Sequence, residues 1–251
     1  MKQQSASPPK ESPRLPESYY SAAAMAVARF IARPLLHLGY FYRVEGVEHV
    51  PLQGPVIVAP NHVSYWDPVI VTHPIKRPVY YLAWKNLFVG FFGKAIRSLG
   101  AIPVDTETGA DRAAYSAALR LLHGGNCVCI FPEGQRGWDG QLLPLEPGVV
   151  RLSLSTGAPI VPFVIHGAFE AWPRWQLLPR LFVPIHALIL PPIHPRPAHS
   201  PAEKRAEAKR LLRELELALM DGLRRLKRES APAKSPAPHT ARLATPAQTK
   251  G

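Results

Sequence analysis

The sequence predicts a single α/β domain built on a mostly parallel, mixed sheet flanked by helices. Three observations lead there. The short runs Val56-Ile57-Val58-Ala59 and Cys127-Val128-Cys129-Ile130 are apolar at every position, as strands covered on both faces are. Stretches with helical spacing alternate with such runs along the chain. At 251 residues the chain holds one domain with a large core, and it shows no internal repeat or second globular unit.

The ends differ from the middle. Residues 1–17 and 229–251 are rich in Pro, Ser, Ala and Lys with hardly any large apolar side chain, so they are expected to be disordered tails outside a domain at 40–228. The N-terminal tail precedes the first apolar run and lacks a signal-peptide layout. Residues 18–42 read as an amphipathic helix in which Arg29, Arg33 and His37 share one stripe. The run is long enough to reach across a bilayer, but two charges near its centre at about 2.5–3.5 kcal/mol each, and Pro34, argue against a span. The expectation is a kinked helix lying in a membrane interface with its arginines at the headgroups; the alternative is a core helix of the domain.

Residues 41–47 and 56–59 are strand candidates separated by the turn Pro51-Leu52-Gln53-Gly54-Pro55. A short helix is expected after Asp67-Pro68, with Asp67 near its N-terminus and able to cap it. Residues 79–83 form another strand candidate. Residues 86–99, with Leu87, Phe88, Val89, Phe91, Phe92 and Ile96, form a very apolar helix suited either to core packing or to lining a long apolar tunnel. A short strand at 102–104 follows. An amphipathic helix at 110–123 then stops at Gly124-Gly125, and alternation continues through 127–131, 148–156 and 160–165. Residues 169–182 carry Trp172, Arg174, Trp175 and Arg180, a composition that suits a membrane-water boundary or a loop over the core. A final strand is expected at 183–190. Ser200-Pro201-Ala202-Glu203 is a capping box that opens an amphipathic helix with Ala208, Leu211, Leu212, Leu215, Leu219, Leu223 and Leu226 at helical spacing.

Two polar clusters sit just past the apolar runs. Asn61-His62-Val63-Ser64-Tyr65-Trp66-Asp67-Pro68 places an imidazole and a carboxylate five positions apart. A neutral imidazole can take a proton from a hydroxyl while a carboxylate fixes its tautomer and stabilises the imidazolium; the alternative is a loop histidine and a helix cap. Phe131-Pro132-Glu133-Gly134-Gln135-Arg136-Gly137 offers an arginine in a Gly-flanked turn, suited to gripping phosphate, with Glu133 orienting it or binding a substrate hydroxyl. Open α/β sheets place ligand crevices at the carboxyl ends of their strands, so the two clusters are expected to meet.

Together these stretches resemble the glycerophospholipid acyltransferases, in particular the 1-acylglycerol-3-phosphate (lysophosphatidate) acyltransferases. The match runs through Asn61-His62-x-x-x-x-Asp67-Pro68, Gly100-Ala101-Ile102-Pro103-Val104-Asp105, Phe131-Pro132-Glu133-Gly134-x-Arg136 and Ala158-Pro159-Ile160-Val161-Pro162-Phe163, in that order. The resemblance implies transfer of an acyl chain from a thioester, acyl-CoA or acyl carrier protein, to a lysophospholipid hydroxyl, with no metal or other cofactor. It makes His62 and Asp67 catalytic and gives Asn61, Glu133, Gly134 and Arg136 to the acceptor. Three departures fall on the acceptor side: Thr106 where an arginine is usual, Gln135 where threonine is common, and Leu145-Glu146-Pro147-Gly148 where a Phe-Lys pair often leads into glycine. Those departures also permit a non-catalytic lipid-binding protein of the same fold, or a different acceptor.

The net charge of +12 and sequence pI near 10.0 call for an anionic partner, nucleic acid or an anionic membrane. No zinc-finger spacing, RNP-like strand or long basic tract is present, whereas an amphipathic segment is, so a peripheral or monotopic position on the cytoplasmic face of a membrane is expected and nucleic acid is not. A metal-dependent hydrolase using His62, Asp67, Glu133 and His166 is a further alternative, although tight His-rich ligand spacing is lacking. Cys127 and Cys129, two apart in one strand, point the same way and are expected to be small buried hydrophobes of a reducing compartment.

Overall fold

The computed structural model describes residues 20–104 and 110–230. The expected tails lie outside the described residues, apart from Glu229 and Ser230, and so does Thr106. Seven strands form one sheet: β1 (Arg43–Glu45), β2 (Val56–Pro60), β3 (Val79–Trp84), β4 (Ala101–Val104), β5 (Cys127–Cys129), β6 (Ile160–His166) and β7 (His186–Ile189), in the spatial order β1-β7-β6-β2-β5-β3-β4. All neighbours are parallel except β6 and β7. The mostly parallel mixed sheet is as the sequence predicts; β1, β5 and β7 are shorter than the runs that announce them, and the other four strands are one residue longer.

Helices cover both faces: α1 (Ala22–Pro34), α2 (Asp67–Thr72), α3 (Gly90–Ser98), α4 (Ala110–His123), α5 (Gly148–Thr156), the single turn α6 (Ala168–Ala171) and α7 (Pro201–Ser230). Successive side chains of a strand point to opposite faces, and the core divides accordingly. Val56, Val58, Cys127, Cys129, Val161 and Phe163 pack with Leu36, Tyr40 and Ile70 on one side. Ile57, Ala59, Val128, Ile160 and Val164 pack with Leu121, Val150, Leu211, Leu215 and Leu219 on the other. The two cysteines therefore share a face, both free and buried. Burial pushes the Cys127 thiol up to about 12 and Cys129 well above its usual range, which leaves both as neutral, inert side chains.

The capping box forms as its spacing requires. Ser200 Oγ accepts from the Glu203 amide at 3.1 Å and Glu203 Oε2 accepts from the Ser200 amide at 3.1 Å.

Two expectations are corrected. Arg29 does not reach outward with Arg33: its guanidinium turns inward and donates to the carbonyls of Thr72, at 3.3 Å, and Ile75. Those carbonyls lie at and just beyond the end of α2, where a cation is favoured, and Arg29 pins α1 to the domain. Arg33 is exposed, as are Phe30, Ile31 and Leu38. The backbone passes from α to a π turn at Leu35–Gly39 directly after Pro34. Among the described residues no helix is long and apolar enough to cross a membrane. The second correction concerns α3, which contributes Gly93 to the interior but leaves Phe91 88% and Phe92 61% exposed. Those two rings neither pack in the core nor line an enclosed tunnel.

Candidate active site

Strand order brings the two polar clusters together. β2 lies between β6 and β5 and is parallel to both, so the segments leaving the carboxyl ends of β2 and β5 are neighbours. Each segment is tied to the other by backbone: the Gly137 amide donates to the His62 carbonyl at 3.0 Å.

His62 follows β2 by two residues, with its side chain 18% exposed. Its Nδ1 lies 2.8 Å from Asp67 Oδ2. A carboxylate oxygen can only accept, so Nδ1 carries a proton, and in the neutral ring the lone pair is on Nε2. The imidazole is further held by stacking on Phe131, with centroids 3.9 Å apart and planes at 22°. Its freedom to turn away from Asp67 is thereby reduced.

Asp67 is fully buried. Its Oδ2 also accepts from the amides of Val63 at 2.7 Å and Ser64 at 2.8 Å. The side chain begins α2, yet it folds back over the loop that precedes the helix, so it shapes the His62 turn rather than capping α2. Three donors thus converge on one oxygen. Ser64 completes the turn: its Oγ accepts from the Trp66 amide at 3.1 Å and donates to the Trp172 carbonyl at 2.8 Å.

Glu133 and Asn61, expected on the substrate, are engaged with backbone. Glu133 Oε1 accepts from the His62 amide at 2.6 Å and Oε2 from the Leu143 amide at 2.7 Å. It neither orients Arg136 nor presents a free oxygen; it fixes the backbone that carries the imidazole. Burial, opposed by those two amides and aided by the charge of Asp67, pushes its carboxyl up to about 7. Asn61 donates Nδ2 to the Ile165 carbonyl at 3.0 Å and accepts from the Ile165 amide at 2.7 Å. In effect its side chain extends the β2–β6 ladder by one residue. Both are positioning residues in this geometry.

Gly134 adopts φ +69°, in the left-handed region that glycine enters freely. The turn carries Arg136, whose guanidinium lies 3.7 Å over the Tyr65 ring. One of its terminal nitrogens, Nη1, is buried without a hydrogen-bond partner. A buried donor without an acceptor is costly, and an anionic ligand would satisfy it. His166 closes β6 opposite His186 of β7, and none of the hydrogen bonds around His62 reaches it. Among the described residues no group of three or more His, Cys, Asp or Glu is arranged to hold a metal ion.

Sequence reasoning missed the roles of Phe131, Ser64, Tyr65 and Ile165. The first three stand inside the quoted motifs, but their contacts depend on segments brought in from elsewhere in the chain. The contribution of Ile165 is purely backbone and leaves none.

A family model described as Acyltransferase matches residues 41–166, half of the chain. A 1-acyl-sn-glycerol-3-phosphate acyltransferase of Pseudomonas aeruginosa is 31% identical over 166 residues, covering 62% of this chain and 60% of that protein. The enzyme of the same description from Borreliella burgdorferi is 29% identical over 125 residues, 49% and 50% of the two chains. A human 1-acyl-sn-glycerol-3-phosphate acyltransferase alpha is 31% identical over 138 residues, 52% and 49%. The chain thus matches about half to three-fifths of the length of these relatives. The crystal structure of the 1-acyl-sn-glycerophosphate (LPA) acyltransferase PlsC from Thermotoga maritima shares the fold, with TM-score 0.66, 23% identity and coverage of 84% of this chain and 81% of that one.

Proposed function

Since this chain belongs to the Acyltransferase family, we propose that it moves a fatty acyl group from a thioester to the hydroxyl of a lysophospholipid, with 1-acylglycerol 3-phosphate as acceptor and phosphatidate as product. One observation carries the reading: the 2.8 Å contact of His62 Nδ1 with Asp67, which leaves Nε2 as a free base at the carboxyl end of the sheet.

In this mechanism Nε2 takes the proton of the acceptor hydroxyl as its oxygen attacks the thioester carbonyl carbon. The Nδ1 proton stays on its bond to Asp67, whose charge stabilises the imidazolium. The tetrahedral intermediate then expels sulfur, and the imidazolium returns its proton to the departing thiolate. An ester and a free thiol result, and no covalent acyl-protein intermediate forms. General-base assistance contributes about 10²–10⁴-fold; juxtaposition of the two substrates supplies the rest. Arg136 holds the acceptor phosphate through its unpartnered buried donor. Glu133 and Asn61 act indirectly by fixing the backbone around His62.

The donor is acyl-CoA or acyl carrier protein. The site is reached from an anionic membrane surface on the cytoplasmic side, which the exposed Phe30, Ile31 and Leu38 of the N-terminal helical segment would meet.

The reaction is tested by release of free thiol from palmitoyl-CoA, and from palmitoyl acyl carrier protein, with and without lysophosphatidate and a panel of other lysolipids. Acceptor-dependent release is expected; its absence with every donor and acceptor, alongside intact liposome binding, would leave a lipid-binding protein that has lost the chemistry.

A further inference from the structure

Arg174 lies outside every motif that marks the site, yet it is built into it. The stretch 172–174 is laced to the catalytic turn: the Trp172 carbonyl accepts from Ser64 Oγ at 2.8 Å and from the Tyr65 amide at 3.4 Å. Arg174 Nη1 donates to the Arg136 carbonyl at 3.0 Å. The Arg136 guanidinium lies on the Tyr65 ring, and the Tyr65 hydroxyl donates to the Arg174 carbonyl at 3.3 Å. Tyr65, Arg136 and Arg174 thus form a closed circuit of three contacts.

The two guanidiniums are alike in setting. Each guanidinium carbon lies 3.7 Å from the centroid of an aromatic ring, Arg136 over Tyr65 and Arg174 over Trp138. A ring offers a guanidinium no hydrogen-bond acceptor in its plane, so N–H donors remain for an anion. Among the described residues neither arginine forms an ion pair. Two unneutralised like charges in one small cluster repel each other, and a doubly charged ligand relieves the repulsion where a singly charged one relieves less of it.

We infer that Arg174 is a second anion-binding residue of the acceptor site, acting with Arg136 on a phosphomonoester dianion and selecting it over phosphodiester lysolipids. The inference rests on the acyl-transfer reading only for its second readout. A phosphomonoester carries between −1.5 and −2 near neutral pH, against −1 for a diester, so a second guanidinium favours the former.

Binding of glycerol 3-phosphate, a headgroup probe that needs no turnover, is measured by calorimetry on the wild type, Arg174→Ala and Arg174→Gln. Thiol release with lysophosphatidate is then compared with release with lysophosphatidylglycerol. Glutamine keeps an N–H donor while removing the charge and, with it, the cation–π contact with Trp138. Both variants are expected to bind the probe about tenfold more weakly, the magnitude of one charge-assisted contact, and to lose monoester preference by a similar factor with thermal stability retained. Unchanged probe affinity, retention of the preference in Arg174→Gln, or an equal fall with both acceptors would overturn the inference. Weaker probe binding in the variants, with a wild type that binds the probe but never releases thiol, would leave this site standing and remove the catalytic reading. Normal turnover with unchanged preference would do the reverse.

Discussion

Glu133 grips the backbone of His62, not its ring: Oε1 accepts the His62 amide at 2.6 Å while Oε2 accepts the Leu143 amide at 2.7 Å. The imidazole is left to Asp67 and Phe131. One carboxylate therefore sets where the base stands and another sets its tautomer. Glu133→Gln keeps one acceptor and places an amide NH₂ against a backbone N–H. We expect a loss of about 1–3 kcal/mol in stability from the unsatisfied donor, and a fall in kcat larger than any rise in KM. Denaturant melts beside steady-state kinetics check both; a variant with normal kcat would show that the tether is dispensable.

The pH dependence of stability follows from the same group. Burial raises the Glu133 carboxyl from about 4.5 to about 7. The folded state then binds more protons than the unfolded chain across that window, so this contribution is fully present below about 4.5 and is lost as pH rises through about 7. Subtracting the Glu133→Gln unfolding free energies from wild-type values at pH 4.5, 6, 7 and 8 should give a difference that declines with pH and then flattens. A difference that rises with pH would contradict the assignment.

Asp67→Asn tests the tautomer. All three donors meet the same oxygen, Oδ2, so an amide oxygen in that place keeps the Val63 and Ser64 bonds but faces Nδ1 without the charge that stabilises the imidazolium, whereas a flipped amide sets its N–H against Nδ1, shifts the ring proton to Nε2 and gives up both backbone bonds. Loss of kcat on the order of 10²–10⁴-fold is expected, as for other carboxylate–histidine pairs, with much of the turn's structure preserved. Near-normal turnover would make Asp67 a purely architectural residue.

Asn61→Ala removes both bonds to Ile165 and strands a backbone N–H and C=O in a buried place. A cost of about 2–3 kcal/mol is expected. If Asn61 instead contacted the acceptor directly, KM would rise with stability unchanged, and thermal melts beside acceptor titrations separate the two cases.

Much of this architecture is legible in the chain because burial on both faces forces strands to be apolar throughout. Val56-Ile57-Val58-Ala59 and Cys127-Val128-Cys129 stand out for that reason, and the polar residues following them mark the carboxyl edge of the sheet. The place of His62, Asp67 and Arg136 at that edge is legible for the same reason. The backbone contacts of Asn61 and Glu133 are not. Asn61 meets Ile165 only because β6 lies beside β2, and Glu133 meets Leu143 only because the chain turns back ten residues later; both facts belong to topology, not to local pattern. Arg29 misled in a similar way: its stripe on α1 is charged and periodic, but Thr72 and Ile75 expose carbonyls at the end of α2 that draw it inward. Local spacing orders side chains around a helix axis without fixing which stripe faces the protein.

His62 is the proposed base. Its most direct test is acceptor-dependent thiol release from the competent thioester by the wild type and by His62→Ala, at equal folded fraction and saturating lysophosphatidate. The account predicts a fall in kcat of at least the 10²–10⁴-fold that general-base assistance supplies, with the thermal melt little changed because the imidazole is partly exposed. Turnover within a few-fold of wild type in a folded His62→Ala protein would contradict it and place the proton transfer elsewhere.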